Sequence, residues 1–290
     1  MAYILTDEQI RFFDENGYLV LRNWIPEPLL RRLAEAGDRW IERGHADPEH
    51  PDHQFATRPS GEVMFRVDYL HAKDEIASLE LLGSPAMLGI AESLAGPNFV
   101  PTYESMVFKS AGDGAPINWH QDAVHPRRHR IFNVDVYLDA SRSGEGALRV
   151  IPGSQRQAAD ICELENNYGW TPPDSVEVEL EPGDVLIHDV MIVHGSPPVQ
   201  GNRLRRTIYY EFRAAEQILS EGPWDREWID RRLRLVPLGL AAYRDRFGAE
   251  PQFDWRIAPE FRPEPAGDDL RVLHNGGTPG SYCSAGSVAV

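Results

Sequence analysis

His120 and Asp122 stand two places apart in the run 117–123, and a second histidine, His194, lies far downstream in the run 192–197. On an extended strand, positions 120 and 122 project from one face, so an imidazole and a carboxylate can reach one ion together. His194 would complete the set from another strand. Two histidines and one carboxylate on one side of an octahedral cation leave adjacent positions open, the arrangement of non-heme Fe(II) oxygenases. A structural zinc site would instead close its shell with four protein ligands, usually including thiolates. Cys162 and Cys283 are the chain's two cysteines, far apart in sequence. Arg205 follows His194 by eleven positions, in a segment rich in strand formers. A guanidinium there can grip the far carboxylate of a dicarboxylate cosubstrate through paired hydrogen bonds.

His188 and Asp189 form a competing ligand pair. If one straight strand ran over 186–194, His188 and His194 would share a face yet stand about 20 Å apart, too far for one ion. His188 is therefore read as a buried, hydrogen-bonded histidine.

Several ordered motifs surround these residues: LTDEQIRFFDENGYLV at 5–20, Trp119-His120-Gln121-Asp122, GALRVIPGS at 146–154, PGDVL at 182–186 and HGS at 194–196. In this series the chain resembles the phytanoyl-CoA dioxygenase family of Fe(II)- and 2-oxoglutarate-dependent oxygenases, over roughly its first three quarters. The resemblance implies that His120, Asp122 and His194 bind iron, and that Arg205 grips the distal carboxylate of 2-oxoglutarate with help from the Ser196 hydroxyl. It implies further cosubstrate contacts at Lys109 and Asn118. Fe(II), 2-oxoglutarate and O2 are the implied cofactors, and hydroxylation of an unactivated C–H bond of a small molecule, with release of succinate and CO2, is the implied reaction. Relatives that chlorinate replace the carboxylate, so Asp122 implies hydroxylation over halogenation. At Asp135 the chain departs from members that carry tryptophan, implying a more polar pocket wall and a different substrate. Desaturation, epoxidation or rearrangement by the same machinery in natural-product biosynthesis is the alternative, with a catalytically silent metal-binding sensor behind it.

The elements that must carry these residues follow from periodicity. Thr6 and Gln9 have capping-box form for a helix ending near Gly17, with a strand over 18–24 after it. Residues 28–43 read as a helix burying Leu29, Leu30, Leu33, Ala36 and Trp40. His45, His50 and His53 fall in a stretch, 44–61, that reads as a solvated loop or a mobile lid. A strand over 62–70 and a helix over 85–95 come next. Alternation over 102–110 puts Tyr103, Ser105, Val107 and Lys109 on one face. Over 131–138 it puts Asn133, Asp135 and Tyr137 on a polar face, toward either a cavity or outer solvent. Tyr103, Ser105, Asp135 and Tyr137 are thus candidate substrate-pocket residues. Strands are expected over 148–151, 176–180, 184–187, 191–194 and 207–213, with 154–174 irregular and overlying the pocket. This pattern predicts a mainly β fold with flanking helices, a double-stranded β-helix (jelly roll, cupin-like) buttressed by N-terminal helices. One dioxygenase domain is expected over 1–262, with 216–262 a helical extension or lid and 263–290 a loosely ordered tail. The amphipathic stretch 224–247 packs on the core or pairs two subunits in a homodimer.

Composition narrows the partners. With 290 residues and a formal charge of −16, the chain is long enough for one large core and ill suited to nucleic acid or an anionic membrane surface. No apolar run approaches the ~20 residues of a membrane span, and two cysteines that look unpaired fit a reducing cytoplasm. The basic run 125–130 reads as recognition of an anionic substrate group or as a solvated turn with local ion pairs.

Overall fold

The computed structural model describes residues 3–58, 61–73, 75–109, 116–124, 127–198, 204–264 and 281–283. Helix α1 (Asp7–Asn16) begins at the capping box expected of Thr6 and Gln9 and ends at Gly17, whose positive φ of 79° forms the C-cap. Strand β1 (Tyr18–Leu21) and helix α2 (Glu27–Ala46) follow, the latter burying Leu29, Leu33, Ala36 and Trp40. Strands β2 (His53–Arg58) and β3 (Gly61–Asp68) pair antiparallel. The loop reading of 44–61 is therefore corrected: α2 continues through Ala46, and β2 adds an edge strand whose local composition gives no strand signal. The basic turn at 127–130 is laced with ion pairs, Arg127 to Asp189, His129 to Glu221 and Arg130 to Asp14, while 125–126 lie outside the described residues.

Helices α3 (Ile76–Leu82) and α4 (Pro85–Ala95) precede β4 (Phe99–Lys109), β5 (Ile117–Gln121), β6 (Ile131–Tyr137) and β7 (Leu148–Val150). Helix α5 (Ile161–Tyr168), capped by the Asp160 side chain on Glu163 N, replaces part of the irregular stretch expected over 154–174. Strands β8 (Val176–Val178), β9 (Val185–Asp189), β10 (His194–Ser196) and β11 (Arg205–Ala214) lead to helices α6 (Ala215–Glu221), α7 (Arg226–Leu233) and α8 (Leu235–Phe247), then β12 (Ser281–Tyr282). Helix α8 crosses α3 at Gly83 and Gly239, where a Cβ on Gly83 would lie 2.0 Å from Gly239 O. The apolar residues Trp228, Ile229, Leu233, Val236 and Tyr243 of 224–247 are buried within the chain.

Among the described residues all strand pairings are antiparallel and form two sheets, without a closed barrel. The larger runs β1-β9-β6-β11-β4-β3-β2, the smaller β12-β5-β10-β7-β8. One face of the larger sheet, with Phe132, Val134, Val136, Ile208, Tyr210 and Phe212, joins Leu29, Leu33, Leu81 and Leu88 of the helices in the main core. Between the sheets lie Tyr137, Leu148, Val150, Val178, Leu186 and Ile192. This is the mainly β, helix-buttressed architecture that the alternating pattern predicts. The outer-solvent reading of the β6 polar face is corrected, because every residue of β6 is buried.

Of the expected tail, Ser281 and Tyr282 pair beside Gln121 and His120, and Cys283 is disulfide-bonded to Cys162; residues 265–280 and 284–290 lie outside the description. The cysteines are 121 positions apart in sequence, so only the docking of β12 on β5, next to α5, reveals the pair. The two thiols are therefore not the unpaired cysteines expected, and they give no sign of a reducing compartment. Among the described residues no helix is long and apolar enough to cross a membrane.

Candidate metal centre

Strands β5 and β10 set His120 and His194 directly opposite each other, with ring centroids 4.1 Å apart. Gly195 permits that approach, since a Cβ there would meet Ile117 O and Trp119 N at 3.1 Å. Asp122 leaves the end of β5 and turns Oδ1 toward both rings, 3.3 Å from His120 Nε2 and 3.9 Å from His194 Nε2. One ligand atom from each of the three lies within 4.8 Å of the others, and this is the one such group among the described residues. The expected triad converges; the histidines of 44–61 form no such group.

The ring hydrogens also fit a cation. His120 Nδ1 lies 2.8 Å from Asn118 O and His194 Nδ1 3.0 Å from Ile192 O. A carbonyl only accepts, so each Nδ1 donates, which in a neutral ring leaves Nε2 its lone pair toward the shared space. Asn118 thus contributes its carbonyl by orienting His120. Burial, aided by His120, pushes His194 down to about 3 against the pull of Asp122, which keeps the ring neutral. Burial opposes charge on Asp122, yet His194, His120 and His188 outweigh it and hold the carboxyl well below the usual carboxylate range. The neutral His194 ring and the ionised Asp122 carboxylate are the forms a metal takes. The Asp122 side chain is 29% exposed against 5% and 8% for the histidines, so the open edge of the site is at the carboxylate.

A cationic corner sits beside the triad. Arg205 and Lys109 are opposed across β11 and β4, and Ser196 lies between them. Lys109 Nζ donates to Ser196 Oγ at 2.6 Å and to Pro197 O at 3.0 Å. Arg205 donates to Ser196 Oγ at 3.2 Å and also bonds Gly146 O. Two cations and a hydroxyl thus meet at one corner, a set of groups able to hydrogen-bond an anion.

The remaining expected residues lie on neighbouring strands: Asp135 and Ser105 share one row across β6, β11 and β4 through Tyr209, with Tyr103 and Tyr137 in the rows on either side. Tyr103 donates its hydroxyl to Asp68, and Ser105 stands opposite Tyr209 across the strands. The Tyr137 and Tyr209 hydroxyls are pushed above the usual phenol range, foremost by burial, so both stay neutral. Asp135 is fully buried with Oδ2 2.8 Å from His188 Nδ1.

His188 is the buried, hydrogen-bonded histidine expected, but it stands beside His194 rather than about 20 Å from it. Its ring centroid is 4.8 Å from that of His194, because the chain turns after Asp189 instead of running straight. The Asp189 side chain accepts from Met191 N at 2.8 Å and its carbonyl from Ile192 N at 3.0 Å. An aspartate able to make such a turn was the available signal. Burial would lower the His188 pKa, but Asp135 and Asp122 outweigh it and hold it up to about 10. Asn133, its register partner, donates from Nδ2 to Asp122 Oδ2 at 2.9 Å.

Comparison with known proteins agrees with this arrangement. The methylphosphonate hydroxylase of Gimesia maris is 28% identical over 249 residues, covering 80% of this chain and 88% of that protein. AviO1 from Streptomyces viridochromogenes Tue57 superposes with a TM-score of 0.63 at 25% identity, covering 77% of this chain and 99% of that one. EvdMO1 gives 0.62 at 29% identity over 72% of this chain, which spans about half the length of EvdMO1 (49%). Residues 13–207, which hold the triad, Ser196, Lys109 and Arg205, match the family model described as phytanoyl-CoA dioxygenase, so the chain belongs to the phytanoyl-CoA dioxygenase family of Fe(II)- and 2-oxoglutarate-dependent oxygenases.

Proposed function

We propose that this chain is an Fe(II)- and 2-oxoglutarate-dependent hydroxylase that converts an unactivated C–H bond of a small molecule to C–OH, with release of succinate and CO2. The observation that carries the reading is the pair of Nε2 lone pairs facing Asp122 Oδ1, each fixed by a backbone carbonyl on Nδ1, beside the Arg205, Lys109 and Ser196 corner. His120, Asp122 and His194 would hold the iron, and three protein ligands leave positions for cosubstrate and O2. Iron and 2-oxoglutarate bound there would activate O2: one oxygen atom would go into succinate as 2-oxoglutarate loses CO2, and the other into the substrate C–H bond.

The chain's own residues bind, orient and exclude water. Arg205 and Lys109 neutralise the distal carboxylate of the cosubstrate, and Ser196 donates to it. The buried Tyr137 and half-buried Tyr209, both neutral, stand near the corner without adding charge. The Gimesia maris relative's name supports hydroxylation of a small polar molecule. The test screens small metabolites for substrate-stimulated succinate release with product mass analysis. Gain of one oxygen by the substrate supports hydroxylation; loss of two hydrogens, or an isomer, with the same succinate yield replaces it by desaturation or rearrangement.

A further inference from the structure

Asp122 presents its two oxygens to different neighbours. Oδ1 faces the Nε2 atoms of His120 and His194, whereas Oδ2 lies 2.9 Å from Asn133 Nδ2 and 3.2 Å from His188 Nε2. Behind it, His188 Nδ1 lies 2.8 Å from Asp135 Oδ2, and Asn133 Nδ2 is 3.1 Å from His188 Nε2. Asn133, Asp135 and His188 are 8%, 0% and 1% exposed, and they stand on neighbouring strands β6 and β9 of the larger sheet. Asp122, by contrast, stands just beyond the end of β5, on the smaller sheet.

We propose that His188 and Asn133, anchored by Asp135, are positioning residues that clamp Oδ2 of Asp122 and so reserve Oδ1 for the metal. The inference rests on the reading of His120, Asp122 and His194 as the iron site. With His188 Nε2 unprotonated the donor and acceptor inventory closes. Asp135 accepts, so His188 Nδ1 carries a hydrogen; Asn133 has two amide hydrogens, one for Asp122 Oδ2 and one for an unprotonated His188 Nε2. When Nε2 carries a hydrogen, His188 donates to Oδ2 directly. In either form Oδ2 is held. An aspartate χ2 is otherwise broad, and a carboxylate free to rotate spends part of its time in orientations that do not ligate.

His188 is close enough to the triad to be mistaken for a fourth ligand. Its Nε2 is engaged by Asp122 and Asn133, and it falls outside the group whose ligand atoms share one neighbourhood. The clamp also joins the sheets: the smaller sheet brings the histidines, and the larger fixes the carboxylate.

The test titrates the metal-free full chain with Co(II) and follows the visible d–d bands of the parent, Asn133→Ala, His188→Gln and His194→Ala. Thermal unfolding of each metal-free protein is recorded alongside. Asn133→Ala and His188→Gln are expected to weaken Co(II) binding roughly 10- to 100-fold and to change band shape, the usual effect of removing a ligand's hydrogen-bond partner. His194→Ala is expected to lose more. Asn133→Ala keeps the buried His188 and Asp135 paired, so it reports even where His188→Gln fails to fold. Unchanged affinity and bands in Asn133→Ala overturn the inference. So does a loss in His188→Gln equal to that of His194→Ala while Asn133→Ala is unaffected, since His188 is then a ligand. A parent protein that binds no Co(II) overturns the underlying reading of the site instead.

Discussion

Strands β6 and β11 carry two opposed regions on alternate residues. The helix-facing side is apolar, with Phe132, Val134, Val136, Ile208 and Phe212. The opposite side bears Asn133, Asp135, Tyr137, Thr207, Tyr209 and Glu211, opposed across the same ladder. One side is packing; the other is a polar interior whose groups must find partners or be left costly. Stability and chemistry are therefore separated at single-residue resolution. Two buried histidines repeat the contrast. His71, near the helix-side Tyr210, is driven down to about 4 by burial, against the pull of Glu104. His188, between two carboxylates on the site side, is held up at about 10.

Substitutions on each side test how clean that separation is. The largest effect is expected of Asp122→Ala, which should reduce substrate-stimulated succinate release to background while the metal-free protein still unfolds cooperatively; retained turnover would remove Asp122 from the site. Arg205→Ala loses a charged hydrogen-bond partner worth about 1.5–3 kcal/mol, a rise in the KM for 2-oxoglutarate of roughly 10- to 150-fold. Steady-state kinetics against 2-oxoglutarate measure it, and a KM within twofold of the parent's contradicts the assignment. On the helix side, Ile208→Val should cost about 0.5–1.5 kcal/mol in denaturant unfolding and leave kcat/KM unchanged. A comparable loss of kcat/KM would blur the two sides.

The smallest effect is in pH dependence, and its sign differs between the histidines. The folded His71 pKa lies below its ordinary value of 6.5, so its contribution is present above 6.5 and is lost as pH falls toward about 4. For metal-free His188 the folded value lies above 6.5, so its contribution is present below 6.5 and is lost as pH rises through about 10. His71→Gln should flatten the acid limb of stability against pH and leave the alkaline limb alone. Denaturant midpoints from pH 4 to 10 measure both limbs; an unchanged acid limb contradicts the assignment to His71.

Legibility followed the range of the interaction. The capping box at Thr6, the stripe of α2 and the alternation of β6 were readable because each depends on neighbours a few residues away. The convergence of His120, Asp122 and His194 was readable from residue types and from motif order. Strand β2 and the Cys162–Cys283 pair were not, because each depends on what another part of the chain presents to it. The misplacement of His188 came from one assumption, a straight backbone over 186–194, which the turn after Asp189 breaks. The clamp on Asp122 is likewise a cross-sheet contact that no spacing within one strand encodes.

The most direct measurement is anaerobic addition of Fe(II) and 2-oxoglutarate to the metal-free protein, followed by visible absorption. A charge-transfer band that needs both components, and that is absent from Asp122→Ala and His194→Ala, is the predicted result. A parent that binds Fe(II) and 2-oxoglutarate with no such band, or a band that survives in both variants, would contradict a cation held by these three side chains with room left for the cosubstrate.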